Sequence, residues 1–364
     1  MDYKEFKDVL KTKMEERFPD SDVEISQVVK NNDTVLDGMV IKDEGSNMTP
    51  NIYLNSFYED FENGRSMENI ADAIADLRAE HHVSQNFDIS KIMDWNEAKD
   101  RICCKLINAE ENRQFLADKP YTQVEDLAVV YQVVMENTEN GSATVTIHDG
   151  IMENYGVDVE ALHETALKNM DFLMPAKFSS MQAVAEEIML PDMMREMGIS
   201  EEEAREMIRQ ELPEGAVPMY VLTNESKVNG AACVLNPNVQ EQITETLGGD
   251  YFVLPSSVHE TLIIPKSADV SYRDLEAMVQ EVNSTQVAPD EKLSDHVYEY
   301  DCVSKELMRS DTAAERKAER NQPQEKAEGQ KSLKEKLEEK KVAAASMKKD
   351  SAKDKGREPE PAMG

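Results

Sequence analysis

From Arg309 to its C-terminus the chain carries no Phe, Tyr or Trp, and beyond Ala its few apolar side chains include Leu333, Leu337, Val342 and Met347. Such a segment buries too little apolar surface to offset the entropy lost on ordering, so whatever folds must fold from the residues before it. The expectation for 304–364 is a charged tail, disordered or transiently helical and coiled-coil-like in composition. Thr312 with Glu315, and Ser332 with Glu335, form capping boxes ahead of helix-forming Ala, Lys and Glu runs. The remainder is long enough for about two domains, and at 40% hydrophobic residues overall the chain can build a core.

Charge divides at the same place. Residues 1–303 hold 24 Lys+Arg against 60 Asp+Glu, a balance of −36, whereas the tail holds 16 against 13, a balance of +3. Nucleic acid binding by the body is disfavoured, because affinity for polynucleotides comes largely from Lys and Arg displacing condensed counterions. The most apolar run, 127–135, is nine residues long and interrupted by Gln132, far short of the ~20 residues that cross a bilayer. The first residues, MDYKEFKDVLKTKMEERF, lack the apolar stretch of an export signal. Four cysteines, two of them adjacent, do not make a disulfide framework and fit a reducing compartment. These features together point to the cytoplasm.

The periodicity predicts an α+β fold of mixed helices and antiparallel hairpins. Tyr3, Phe6, Leu10, Met14 and Phe18 share one helical face, and Pro19 ends that helix. Two β-rich runs follow at 23–30 and 34–42, turned by Asn31, Asn32 and Asp33. An aromatic, helix-compatible stretch spans 52–61, and Ser66 caps a helix with Ile70, Ala73, Ile74 and Leu77 inward. Residues 1–90 therefore read as an α-β-β-α-α region, and 91–303 as a main α+β domain. In the latter, 102–107 and 143–147 read as strands. The run 124–135 is a buried helix or strand that periodicity alone leaves open. Helices are expected at 158–169, across a helical insertion at 179–211 closed by Pro213, Gly215 and Pro218, after Asn236-Pro237 as far as Gly248-Gly249, and from about Ser271 and Lys292. Hairpins are expected between 219–223 and 231–235 and between 251–254 and 261–264.

No residue stands out as catalytic, cofactor-binding or metal-ligating. His163-Glu164 and His259-Glu260 each resemble half of a zinc-protease helix, but the second histidine that would share a helical face is replaced by Leu167 and Ile263. Cys103 and Cys104 alternate across a strand and cannot chelate one ion; they read as one buried and one exposed residue. Cys233 and Cys302 are isolated. Gly248-Gly249 precedes a strand, whereas phosphate loops follow one, so the pair reads as a helix cap. Ser256 and Ser257 near His259 lack a nucleophile-elbow motif and read as turn residues. Met189, Met193, Met194, Met197 and Met207 gather around Pro191; core filling is the ordinary use of such residues, an adaptable partner groove the functional one.

Three stretches, RICCKLINAEENRQFLADKPYTQVEDLAVVYQVVM at 101–135, NYGVDVEALHETALKNM at 154–170 and GGDYFVLPSSVHETLIIP at 248–265, resemble a bacterial family of unknown function frequent in gut anaerobes of the Firmicutes type. The resemblance covers most of 1–303 and excludes the tail. It implies a cytoplasmic bacterial protein with a variable charged extension, and it carries over no catalytic residue. The leading functional expectation is a non-enzymatic binding or interaction protein, meeting a protein partner through the Met-rich segment or the charged tail. Its rival is a hydrolase or transferase whose site is assembled from distant residues around His163 and His259, with Asn169 and nearby carboxylates.

Overall fold

A computed structural model describes residues 1–321 other than Met48, 82–87, 139–140 and 212–216; the tail expected beyond Asn321, and the Pro213 and Gly215 helix stop, lie outside the described residues. The architecture is α+β. The first helix, α1 (Tyr3–Arg17), starts at Asp2, whose carboxylate accepts the Glu5 N–H while the Glu5 side chain accepts the Asp2 N–H. This reciprocal cap satisfies two of the donors that a helix start leaves unpaired. Strands β1 (Ser21–Val29) and β2 (Val35–Asp43) pair antiparallel with Ser21 opposite Asp43, and β3 (Ile52–Tyr53), a strand not expected, extends the sheet. The β1–β2 turn sets Asn32 and Asp33 at φ 56° and 47°, a left-handed conformation that Asn and Asp adopt more readily than other side chains. Helices α2 (Asn55–Glu62) and α3 (Met67–Glu80) close the region over a cluster including Phe6, Leu10, Met14, Met39, Ile41, Leu54, Ile70 and Ile74.

Asparagines then tie this region to distant loops. Asn31 Nδ2 donates to the Asp290 carbonyl at 2.8 Å, and Asn32 Nδ2 donates to the carbonyls of Pro289 and Lys292 at 2.7 and 2.8 Å. Asn112 both donates to Asn32 Oδ1 and accepts from its backbone N–H. Asp33 accepts the N–H groups of Gln114 and Phe115, each at 2.9 Å.

Next come α4 (Ser90–Met93), α5 (Trp95–Ala98), β4 (Ile102–Asn108), α6 (Arg113–Leu116), β5 (Tyr121–Val124), β6 (Leu127–Thr138), β7 (Gly141–Thr146), α7 (Asp149–Tyr155) and α8 (Val159–Leu173). The run that periodicity left open is a strand: β6 runs through the centre of an antiparallel sheet, with β4 along one side and β5 then β7 along the other. Its residues 127–135 are buried except Gln132, and both faces of β4 are covered, which explains why neither strand alternates in the sequence.

The chain continues through β8 (Ala176–Ser180), α9 (Met181–Met197), α10 (Glu201–Glu211), β9 (Tyr220–Asn224), α11 (Pro237–Leu247), β10 (Tyr251–Leu254), β11 (Thr261–Pro265), α12 (Tyr272–Thr285), β12 (Tyr298–Asp301), β13 (Glu306–Arg309) and α13 (Ser310–Asn321). A six-stranded antiparallel sheet takes the order β13-β12-β10-β11-β9-β8. Four expectations are corrected here. The segment 231–235 is not a strand partner of β9. It lies in a buried 3-10 turn, Gly230–Leu235, whose small Gly-Ala-Ala start packs inside, while β9 pairs with β8 and β11. The helical stretch 179–211 begins two residues late, because Ser179 and Ser180 belong to β8 and Ser180 caps α9. No helix forms at Lys292; the side chains of Lys292, Ser294 and His296 are bound to Asp295, Asp126 and Glu276, and the chain enters β12. The segment expected to be tail from 304 still supplies β13 as an edge strand and then α13.

Residues Met1–Asp311 form one compact unit. Its main cluster joins Ile102, Cys104, Leu106, Tyr131 and Val133 of the four-stranded sheet to Tyr251, Val253, Ile263, Tyr298 and Tyr300 of the six-stranded one. Because side chains alternate along a strand, Phe252, Leu254 and Ile264 face the other way and pack under Leu275 and Val279 of α12.

Candidate functional site

His163 lies on the side of α8 that meets the four-stranded sheet. Its Nδ1 is 3.0 Å from the Tyr131 hydroxyl, which in turn is 2.5 Å from Thr122 Oγ1, so α8, β6 and β5 are joined by one chain of polar atoms. Burial holds the His163 pKa below its ordinary value, with Glu164 opposing, and the imidazole is neutral at neutral pH. Burial pushes the Tyr131 phenol upward. The hydroxyl keeps its proton, and it either donates to Nδ1 or accepts from it according to the imidazole tautomer. The arrangement pins a helix to a sheet; it neither lowers a nucleophile's pKa nor raises a base's, the two adjustments that catalytic groups require.

His259 sits in the β10–β11 connection. Its Nδ1 accepts the Asn229 N–H at 3.2 Å, which leaves the proton on Nε2, 3.6 Å from Glu291 Oε1. Ser257 Oγ accepts the His259 N–H, so this serine serves the turn and not the imidazole. The facing loop is held by Asn224, whose side chain bonds Ser226 and both backbone groups of Val228. Gly230 fits beneath it: a Cβ there would lie 2.3 Å from Thr223 Oγ1 and 2.5 Å from the His259 carbonyl oxygen. His163 and His259 share no hydrogen-bond, ion-pair or ring partner among the described residues. Asn169, the third member of the sequence-derived constellation, donates Nδ2 to the Lys99 and Ile102 carbonyls at 2.7 and 2.9 Å and locks α8 to β4.

Cys103 and Cys104 are both buried, correcting the expectation that one is exposed: α8 covers Cys104, which touches Met170 sulfur at 3.6 Å, and Cys103 lines a small cleft with Gln132, Met174 and Asn224. Burial pushes the Cys103 and Cys233 thiols up to about 12 and Cys104 also upward. Thiols in that state are poor nucleophiles. All four cysteines are free, and no group of three or more His, Cys, Asp or Glu side chains among the described residues is placed to hold a metal ion.

A different surface stands out at α9 and α10. These helices form a hairpin turned at Gly198, which takes φ 66°, and Ser200 with Glu203 forms a capping box. Glu186 is buried between them, accepting from Gln182 and from Arg205 Nη1 at 2.6 Å, while Arg205 also reaches Glu201. Ala204 and Ile208 are buried, but Ile188, Met194, Met197 and Met207 are 64%, 38%, 53% and 37% exposed. The span 181–211 carries nine Asp and Glu against three Arg, a balance of −6.

The architecture defines an α+β protein with three antiparallel sheets among the described residues, in which no described helix is long and apolar enough to cross a membrane. The chain belongs to the family of unknown function DUF5688, which it matches over residues 3–302. That span contains all three stretches on which the resemblance rested. No curated protein and no solved structure matches.

The sequence reading missed Thr122 and Tyr131. A tyrosine inside the apolar run of β6 was the available signal, since a buried phenol needs a hydrogen-bond partner.

Proposed function

We propose that the protein is a non-enzymatic binding protein of the bacterial cytoplasm that holds a basic, apolar-faced segment of a protein partner against the α9–α10 hairpin. The supporting observation is the exposure of Ile188, Met194, Met197 and Met207 on an element of charge −6. Methionine side chains are flexible and polarizable and adapt to varied apolar contours. Acidic neighbours select a partner with Lys and Arg flanking its apolar stripe, the pattern of a basic amphipathic helix. Met194 and Met197 lie one helical turn apart and so present one patch. The free cysteines agree with a reducing compartment.

The test is fluorescence anisotropy of a labelled leucine–lysine amphipathic helical peptide with the full chain. Saturable binding is expected that weakens with added salt and falls about tenfold or more in the double variant Met194→Ser, Met197→Ser, as expected where apolar anchors carry the contact. Equal affinity in the variant means that the peptide senses net charge alone and overturns the reading.

A further inference from the structure

A cleft of about 370 Å³ lies between α11 and the turn that joins β12 to β13, and it shares no residue with the α9–α10 hairpin. Helix α11 turns Val239 and Ile243 into the main cluster, which leaves Glu241 and Glu245, one helical turn apart, along one wall. The other wall is Tyr300 of β12 with Cys302 and Lys305 of the turn, and Pro237 adds apolar surface at the helix start. The turn is fixed by its own bonds. Asp301 Oδ1 accepts the Val303 and Ser304 N–H groups at 2.9 and 3.0 Å, and the Lys305 N–H donates to the Asp301 carbonyl at 2.8 Å.

Tyr300 is 3% exposed and stacks on Tyr251 with ring centroids 5.0 Å apart. Its hydroxyl has no hydrogen-bond partner among the described residues. The Tyr251 hydroxyl is sealed from water, but that of Tyr300 is not, so the little surface this residue keeps brings its hydroxyl to the cleft. Burial pushes the phenol pKa up, with Cys302, Glu241 and Asp301 adding to it, so the hydroxyl keeps its proton and is a donor not yet used. None of Glu241, Glu245 and Lys305 has an ion-pair partner among the described residues. The helix wall therefore offers two carboxylates, and the strand wall an ammonium and a phenol. An anion alone would meet the carboxylates, and a cation alone the lysine; a ligand with both charges suits both walls.

We infer that this cleft binds a free α-amino acid with an aliphatic side chain, its ammonium held by Glu241 and Glu245, its carboxylate by Lys305 and the Tyr300 hydroxyl, and its side chain against Pro237 and Cys302. The volume falls in the ~300–1,000 Å³ range of small-molecule sites. No further charged side chain lines the cleft, so a third charge on the ligand finds no partner there.

The test is saturation-transfer difference NMR with the full chain, following the ligand methyl signals through titrations of L-leucine, isopentylamine and isocaproate. The three share one branched body; the amine lacks the carboxylate and isocaproate lacks the ammonium. L-leucine is expected to saturate, with each analogue at least about tenfold weaker, the worth of a hydrogen bond to a charged group. Lys305→Met, at an exposed position, is expected to weaken L-leucine about tenfold and to leave isopentylamine unchanged. Glu241→Gln with Glu245→Gln is expected to weaken L-leucine and to leave isocaproate unchanged or tighter. Tyr300→Phe keeps the ring and its stacking and should weaken L-leucine and isocaproate alike. Absence of saturation with L-leucine, an analogue that binds as tightly as L-leucine, or a Lys305→Met loss shared equally by the amine each overturns the inference.

Discussion

Helices α8 and α9 are close in length, 15 and 17 residues, and opposite in use. α8 buries Leu162, Ala166, Asn169 and Met170, a stripe at helical spacing pressed onto β4 and β6, whereas the sole buried residue of α9 is the carboxylate of Glu186. Pro191 sits inside α9, and its apolar residues spread around the axis. The difference shows that methionine content says little until periodicity is added. Met170 of α8 is a core residue, and Met197 of α9 faces solvent.

Substitutions can break this contrast or sharpen it. Met170→Ala should cost about 2–5 kcal/mol, the range for opening a cavity in a packed core, measured by urea denaturation. Next, Asn169→Ala strands the Lys99 and Ile102 carbonyls and should cost about 1–3 kcal/mol in the same assay. Glu186→Ala should cost about 1 kcal/mol or less, because Arg205 is 42% exposed at its side chain and keeps Glu201 and water as partners.

The pH dependence of α8 comes from His163. Its folded pKa lies below the unfolded value of about 6.5, so the unfolded chain takes up the proton first as pH falls below that point. The contribution is complete above about pH 6.5 and declines through the window down to the folded pKa. His163→Phe should flatten that part of the stability profile relative to wild type, measured by denaturation between pH 7.5 and 5.5. The smallest effects belong to α9: Ile188→Ser and Met197→Ser should each stay within about 0.5 kcal/mol, as for other exposed positions. A core-sized loss there would place those side chains in an interior and remove the basis for a docking role.

Much of the fold was legible where local signals were strong. The helix starts at Ser66, Asp158 and Asn236, the Gly248 stop and the β1–β2 and β10–β11 hairpins are all found close to their sequence positions, whereas the Asp2–Glu5 cap of α1 was not read from the sequence. What escaped are short pieces that become strands only by pairing. Tyr298–Asp301 and Glu306–Arg309 are four residues each, too brief to show a period, and β8 is masked by the helical run that follows it. The buried pair Cys103–Cys104 misled for a related reason, because alternation assigns one residue outward only when one face of the sheet is wet. Of the site features, exposure of the Met-rich hairpin was posed as a question by the sequence. The Tyr131–His163 contact depends on residues 32 positions apart in the chain.

The asparagine ties at the β1–β2 turn bear on how the chain folds in time. Asn31 and Asn32 bond residues 257 to 260 positions further along. At a synthesis rate of roughly 5–20 residues per second, those partners leave the ribosome roughly 13–50 s after the turn that waits for them. During that interval the first helices and hairpin rest on the cluster of Phe6, Leu10, Met14 and Ile74, joined by the ties from Asn112, Gln114 and Phe115 that lie 80 to 82 residues beyond the turn. Docking is then a late step of high contact order, and a slow refolding phase removed by Asn32→Ala would mark it.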